Sequence, residues 1–135
     1  MKILLASHGS FAEGLKSAIE IILGKQDNLY TINMYLDNIS LREKLEEILG
    51  PSYLDEDIVI FTDIFGGSVN QKMMEIYEDR DVEIVTGMNL PLLLEVLISK
   101  DLSKENLSKI LSVVTKQMTT TDDLLKRVQL EDDVL

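Results

Sequence analysis

Apolar runs of strand length alternate with segments of helical periodicity along the chain, and glycine, serine or asparagine stands at the joints. The first apolar run, residues 2–7, is continuous in its centre, as expected for a parallel strand buried on both faces. Similar runs predict strands at residues 29–35, within 57–65 and at 82–87. The alternation predicts a doubly wound α/β fold, with a mainly parallel sheet and helices on both faces.

Amphipathic stripes and capping patterns predict the helices that follow these strands. Three serines stand three residues before Glu or Gln, a pattern typical of a capping box. An asparagine precedes a helix that tolerates Pro91 in its first turn, and another serine opens a helix to about residue 117. The predicted capping residues are Ser10, Ser40, Ser68, Asn89 and Ser103.

The segment 118–135 gives a weaker signal. Apolar and polar side chains alternate between Leu125 and Leu130, a pattern that fits an edge strand of the sheet but is ambiguous. The last residues are acidic and are expected to fray.

Composition narrows the class of protein. The chain has 135 residues, 45% of them hydrophobic, which suits one domain over residues 1–135. A formal net charge of -11 argues against binding to nucleic acid or an anionic membrane, and favours a partner with a basic face. There is no cysteine, which excludes disulfides and thiolate chemistry. The first apolar run is too short for a signal peptide or a membrane span, so a soluble cytosolic protein is expected.

Three joints follow strands: residues 7–10, 63–68 and 86–89. Ligands of open α/β sheets bind at the carboxyl ends of the strands, where the strand order reverses. In the order 2-1-3-4, His8 and Asp63 leave neighbouring strands about 4.8 Å apart and can touch. In the order 3-2-1-4 they lie about 10 Å apart and the pairing is weak.

A touching pair has a chemical meaning. A carboxylate that accepts the proton of Nδ1 leaves Nε2 unprotonated and nucleophilic, and it stabilises the charged ring when a bond forms there. Backbone N–H groups and a serine hydroxyl nearby suit phosphoryl oxygens. The predicted phosphate-binding residues are Gly9, Ser10, Gly66, Gly67 and Ser68. Neither a Walker lysine nor a GxGxxG motif is present, so binding of ATP or a dinucleotide has little support.

Each of these residues also has a purely structural explanation. A lone histidine at a strand end usually serves as a hydrogen-bonding residue, and Gly66 and Gly67 suit a tight turn. Asp63 suits a cap of the following turn, and both serines suit helix capping. Their convergence at one sheet edge favours the functional interpretation.

Three segments carry a family resemblance: SHGSFAEGL (7–15), FTDIFGGS (61–68) and TGMNLPLLLE (86–95). Their order and spacing resemble the IIA component of the mannose family of the bacterial phosphoenolpyruvate-dependent sugar phosphotransferase system. The match spans Lys2 to about Gln117. Valine follows the Gly-Gly-Ser turn where many members have proline, and Phe65 replaces a tryptophan of some members.

The resemblance implies four parallel strands and an antiparallel edge strand exchanged within a homodimer. It implies that His8 is phosphorylated, that Asp63 is its carboxylate partner and that Ser68 contacts the phosphate. The phosphoryl group would arrive from the histidine-containing phosphocarrier protein and leave to a IIB component that serves sugar uptake. No metal or nucleotide is implied for this step.

Other functions remain open at this point. The phosphoryl-transfer subunit of bacterial dihydroxyacetone kinase uses a similar domain and histidine. A non-catalytic docking module that senses a partner's phosphorylation state is the alternative from another class. A hydrolase that uses Ser7 or Ser10 with His8 has little support, because adjacent residues at a strand end rarely reach the required geometry.

Overall fold

The computed structural model describes residues 1–134, with side chains as far as residue 130. Strands and α-helices alternate from the first strand to the fourth helix, and further helices follow. The elements are β1 (Lys2–His8), α1 (Phe11–Leu23), β2 (Leu29–Met34), α2 (Leu41–Leu49), β3 (Ile58–Thr62), α3 (Ser68–Ile76), β4 (Glu83–Thr86), α4 (Leu90–Ile98), α5 (Lys104–Val114) and α6 (Thr121–Val134). Short 3-10 turns cover Tyr53–Asp55 and Thr115–Gln117.

The sheet has the order β2-β1-β3-β4, and every pairing is parallel. Ala6 of β1 is in register with Ile32 on one side and with Thr62 on the other. The predicted order 2-1-3-4 is therefore confirmed. Because parallel strands end at the same edge, the residues after β1, β2 and β3 come together there.

Alternating side chains of the central strands fill two cores, one on each face of the sheet. On one face Ile3 and Leu5 pack with α1, α4 and α5. On the other face Leu4 and Ala6 pack with α2 and α3. Both faces of β1 are buried, which explains its continuous apolar run.

Predicted caps hold at three helices. The Ser40 hydroxyl accepts from the Glu43 N–H at 3.2 Å and donates to the Glu43 carboxylate, so Ser40 is confirmed as the N-cap of α2. Asn89 caps α4 through the Leu92 N–H at 3.0 Å, and Ser103 caps α5. These caps fix where each helix begins after its loop.

The predicted fifth edge strand in residues 118–135 is wrong for the part of the segment that the structure describes. Residues 121–134 form α6 instead. The Thr120 hydroxyl accepts from the Asp123 N–H at 3.2 Å, and two aspartates lie in the first turn, where they favour a helix start. Residue 135 lies outside the described residues.

Candidate functional site

The site centres on His8, the last residue of β1. Asp63 follows β3 directly, and its Oδ2 atom lies 2.7 Å from Nδ1 of His8. The same oxygen accepts the backbone N–H of His8 at 2.8 Å. Two bonds to one oxygen fix both the backbone and the ring of His8 against β3.

The carboxyl group of Asp63 is kept ionised by this arrangement. Burial raises the pKa of Asp63, but hydrogen bonds from the backbone and ring of His8, and the positive charge of the ring when it is protonated, outweigh burial and leave the pKa below its ordinary value. An ionised carboxylate only accepts hydrogen bonds, so Nδ1 of His8 carries the proton. In the neutral ring, Nε2 then has a free lone pair.

Ser68 lies on the Nε2 side of the ring. Its Oγ atom is 3.3 Å from Nε2 of His8, while the His8 side chain is 46% exposed. The sequence predicts Ser68 as a helix cap, but the structure places it one residue inside α3, with Gly67 as the N-cap. The Ser68 hydroxyl is therefore available to the imidazole.

The Gly-Gly turn needs glycine at both positions. Gly66 has a φ of 72°, a conformation that other residues rarely adopt. A Cβ atom on Gly67 would lie 2.5 Å from Cγ2 of Ile64 and 3.7 Å from Cε1 of His8. The turn thus brings the start of α3 close to the imidazole.

Two side chains that the sequence analysis did not select hold this turn. The Asn70 Oδ1 atom accepts the Gly66 N–H at 3.3 Å, and its amide donates to the buried Thr62 hydroxyl at 3.0 Å. Gln71 donates to the carbonyl of Gly66 at 2.6 Å. The two residues that follow Val69 therefore brace the turn.

The glycine N–H groups have partners inside the protein. Those of Gly66 and Gly67 donate to Asn70 and to the Ile64 carbonyl. The N–H of Gly9 donates to the Met34 carbonyl at 2.8 Å. As phosphate donors these three groups remain predictions, and in the structure their bonds shape the loops. The backbone N–H groups in the first turn of α3 are better placed, because a helix leaves them without intrahelical partners.

The cap of α1 differs from the prediction. Ser10 makes no side-chain capping bond, and the buried Ser7 hydroxyl accepts the Ala12 N–H at 2.8 Å instead. The Ser10–Glu13 capping box is therefore wrong. Because Ser7 is buried and already bonded, it is also a poor nucleophile.

Sequence reasoning missed Tyr35. Its ring lies beside the His8 ring, with centroids 5.1 Å apart, and its hydroxyl is 2.6 Å from Oγ of Ser68. Lys72 of α3 donates to the same hydroxyl at 3.3 Å. The position of β2 next to β1 was the available signal, because the residue after β2 must also reach this edge.

The third predicted joint, residues 86–89, does not join the His8 cluster. Asn89 caps α4, and the N–H of the buried Met88 donates to the Thr62 carbonyl at 3.1 Å. Among the described side chains, no group of three His, Cys, Asp or Glu residues is arranged to hold a metal ion. Within residues 1–134 no helix is long and apolar enough to span a membrane.

The fold and the known relatives together define a class: the IIA components of the sugar phosphotransferase system, which are phosphotransferase components. The chain belongs to the EIIA-man family, because the family model described as "PTS system fructose IIA component" matches residues 2–115. The resemblance read from the three motifs is thus confirmed.

Individual relatives agree with this assignment. The fructose-specific EIIA component of the phosphotransferase system of Bacillus subtilis (strain 168) is 29% identical over 121 residues, which cover 87% of this chain and 83% of that protein. A sorbose-specific EIIA component from Lacticaseibacillus casei is 28% identical and covers 90% of both chains. The crystal structure of a PTS IIA protein associated with the fucose utilization operon of Streptococcus pneumoniae has a TM-score of 0.75 and 30% identity, covering 92% of this chain and 95% of that one.

Proposed function

We propose that this protein is a cytoplasmic phosphoryl carrier, in which His8 accepts a phosphoryl group from the histidine-containing phosphocarrier protein and passes it to a IIB component. The observation that carries the proposal is the His8–Asp63 pair, with Nδ1 bound at 2.7 Å and the ring half exposed. A ring fixed in this way presents only Nε2 to a partner. Metal and nucleotide are not needed for the step.

The transfer balances without moving a proton between the proteins. The donor's phosphohistidine carries a proton on the ring nitrogen that does not bear phosphorus. The Nε2 lone pair of His8 attacks phosphorus, the donor's N–P bond breaks, and its electron pair returns to the donor ring, which leaves neutral. His8 becomes a phosphorylated imidazolium, and the Asp63 carboxylate stabilises its charge through the Nδ1 proton.

Ser68 and the start of α3 complete the site. When Nε2 gives its lone pair to phosphorus, the Ser68 hydroxyl loses an acceptor and can donate to a phosphoryl oxygen instead. The positive end of the helix dipole and the unpaired N–H groups of the first turn of α3 favour the same negative charge. Catalysis then consists of positioning and electrostatics, as for other phosphoryl transfers.

The reaction also limits what the site should bind. Transfer between two phosphohistidines is nearly isoenergetic, so a carrier must hold the phosphoryl group without trapping it. A set of a few neutral donors suits this requirement better than a fully enclosed cationic pocket. The sugar is recognised elsewhere in the system, so the residues around His8 carry no sugar specificity.

Partners and assembly follow from the same proposal. A net charge of -11 suits docking to a phosphocarrier with a basic face. Family resemblance favours a homodimer. We place the protein in the cytoplasm, where phosphoenolpyruvate is the first phosphoryl donor of the transfer sequence.

Intact-mass spectrometry tests the proposal. The protein is incubated with phosphoenolpyruvate, enzyme I and the phosphocarrier, and parallel samples omit the phosphocarrier or supply ATP instead. We expect one acid-labile phosphoryl group that requires the phosphocarrier. His8→Ala should fold, as judged by circular dichroism, and remain unmodified.

Two outcomes would contradict the proposal. A phosphoryl group on His8→Ala would place the site elsewhere. Absence of modification on the folded protein, with the phosphocarrier demonstrably phosphorylated, would favour a regulatory docking module. Onward transfer to a IIB component, compared with transfer to a dihydroxyacetone kinase subunit loaded with ADP, separates the two phosphoryl-carrier functions.

A further inference from the structure

A line of hydrogen bonds runs from α3 to the reactive side of His8. Lys72 Nζ lies 3.3 Å from the Tyr35 hydroxyl, which lies 2.6 Å from Oγ of Ser68. That Oγ atom is 3.3 Å from Nε2 of His8. The line therefore joins a cation to the nitrogen on which the proposed phosphoryl group is carried.

The bonds in this line have a defined direction. The proton of the neutral His8 ring lies on Nδ1, where it is donated to the Asp63 carboxylate. Nε2 therefore accepts a hydrogen bond, and the Ser68 hydroxyl donates it. Ser68 then accepts from the Tyr35 hydroxyl, which in turn accepts from Lys72, a group that can only donate. All donors point toward the imidazole, which is the direction that an arriving anion requires.

We propose that Tyr35 and Lys72 are positioning residues for the phosphoryl group on His8: Tyr35 orients the Ser68 hydroxyl, and the Lys72 ammonium favours the dianionic form of the phosphoryl group. This inference rests on the proposed carrier function and deepens it. It assigns to two side chains part of the role that the sequence analysis gave to glycine N–H groups.

Charge makes the assignment chemically reasonable. A phosphoryl group on Nε2 brings up to two negative charges close to the Asp63 carboxylate. Lys72 offers an opposite charge, and it takes part in none of the ion pairs among the described side chains. Its ammonium also lies 5.3 Å from the centroid of the Tyr35 ring, where a cation is attracted to the ring face.

The ionisation of Tyr35 reports the same surroundings. The Ser68 hydroxyl can donate to the ionised Tyr35 oxygen, and this bond lowers the pKa of Tyr35 more than partial burial raises it; Lys72 lowers the pKa further. In the neutral phenol the Tyr35 hydroxyl donates to Ser68 instead. The titratable groups along this line are His8, Tyr35 and Lys72, and Asp63 binds the opposite ring nitrogen while its charge also acts on Tyr35.

The backbone holds Tyr35 in place at some cost. Its φ of 70° is left-handed, which is uncommon for a bulky residue. Lys44 fixes the chain on both sides, because its ammonium donates to the Asn33 carbonyl at 2.6 Å and pairs with Asp37 at 3.1 Å. Such strain persists only where surrounding contacts determine it, as these do.

The test compares conservative variants of the phosphorylated protein. Tyr35→Phe removes the hydroxyl and keeps the ring, and Lys72→Met removes the charge and keeps the stem. Tyr30→Phe, at the far end of β2, and Lys109→Met, on the exposed face of α5, are the matched controls. Phosphoryl acceptance from the phosphocarrier is followed in single turnovers, and ³¹P NMR follows the isolated phosphoprotein.

We expect Tyr35→Phe and Lys72→Met to accept phosphoryl groups roughly two- to tenfold more slowly, the scale of one hydrogen bond or exposed charge. In Lys72→Met the ³¹P titration midpoint should rise, because the dianion loses a nearby cation. This readout needs no partner, so a docking defect cannot produce it.

Three results would overturn the inference. Wild-type rates and an unchanged ³¹P midpoint in both variants would mean that Tyr35 and Lys72 only stabilise the loop. The proposed phosphorylation of His8 would be unaffected by that result. A lower melting temperature with unchanged kinetics and an unchanged midpoint would lead to the same conclusion. If the wild-type protein takes up no phosphoryl group, the proposed function fails and this inference fails with it.

Discussion

Two parts of the same sheet edge use their polar side chains differently. At the ends of β1 and β3, His8 and Asp63 bind across strands to each other. At the end of β4, Asn89 binds within its own loop, to the Leu92 N–H and the Gly87 carbonyl. β1 lies between β2 and β3, so three strand ends meet at His8, whereas β4 is separated from β1 by β3. Position in the strand order therefore decides which loop forms a site.

Asp63→Asn should have the largest effect on this contrast. The amide keeps the size and one acceptor but removes the charge that stabilises the phosphorylated ring. A hydrogen bond to a charged group contributes about 1.5–3 kcal/mol, so single-turnover acceptance should slow roughly 10- to 150-fold. Asp101→Asn, which alters an exposed carboxylate at the start of α5, is the control and should accept at the wild-type rate. If Asp63→Asn accepted phosphoryl groups as fast as the Asp101→Asn control, the Asp63 carboxylate would have no part in the mechanism.

Ser68→Ala should have a smaller effect on the same side of the comparison. One neutral hydrogen bond is worth about 0.5–1.5 kcal/mol, so acceptance should slow roughly 2- to 12-fold. Rapid-quench kinetics measure the change, with Ser108→Ala on α5 as the matched control. No slowing, in a variant that still folds, would return Ser68 to a structural role.

Asn89→Ala tests the loop at the end of β4, the other part of the comparison. Loss of the cap should reduce stability by about 1 kcal/mol, or lower the melting temperature by about 3–6 °C, without changing phosphoryl acceptance. Calorimetry and the transfer assay measure the two quantities, and Asn89→Asp should keep the cap. A folded Asn89→Ala protein with slowed transfer would mean that the end of β4 contributes to the site after all.

The smallest effect concerns acid stability. The pKa of Asp63 is lowered in the folded protein, so its stabilising contribution is complete above the ordinary carboxyl pKa of about 3.9 and disappears as pH falls through the lowered value. Asp63→Asn lacks this dependence. The gap in unfolding free energy between wild type and variant should therefore narrow as the pH falls below about 4, as urea titrations at several pH values can measure. A constant gap would mean that Asp63 contributes no pH-dependent stability.

The central pair was predictable because strand ends and strand order suffice to place it. His8 follows a continuous apolar run and Asp63 follows another, and the order 2-1-3-4 makes those runs neighbours. The predictions that Ser10 and Ser68 cap their helices were wrong, and the cause lies in the neighbouring residues. Neither serine hydroxyl caps its helix, because Ser7 and the glycine turn determine how the chain enters α1 and α3.

Tyr35 was missed because the strand-like sequence pattern of residues 29–35 includes it, so the sequence predicts it as part of β2. The strand ends at Met34, and Tyr35 turns into a left-handed conformation that nothing in an aromatic residue indicates. Only the turn-forming Asp37 and Asn38 hinted that the chain leaves the sheet here. Lys44, which stabilises the turn, is seven residues beyond Asp37 and on another element.

The C-terminal segment shows where periodicity alone fails. Leu124, Leu125 and Val128 fit a helical stripe as well as an alternating strand, so the pattern by itself cannot choose. The helix signals stood just before it, in Thr120 and the two aspartates that follow. Weighing the cap against the alternation would have given the observed helix.

The long separation between the two halves of the central pair has a consequence for biogenesis. His8 and Asp63 are 55 positions apart, and β1 pairs with β2 and β3, both of which leave the ribosome after it. The first strand to be synthesised must therefore wait for its neighbours, and parallel pairing over such distances is slow. A nascent or misfolded chain displays the imidazole but not the carboxylate that orients it. The proposed phosphoryl uptake therefore requires the completed pairing of β1 with β3, which brings Asp63 to His8.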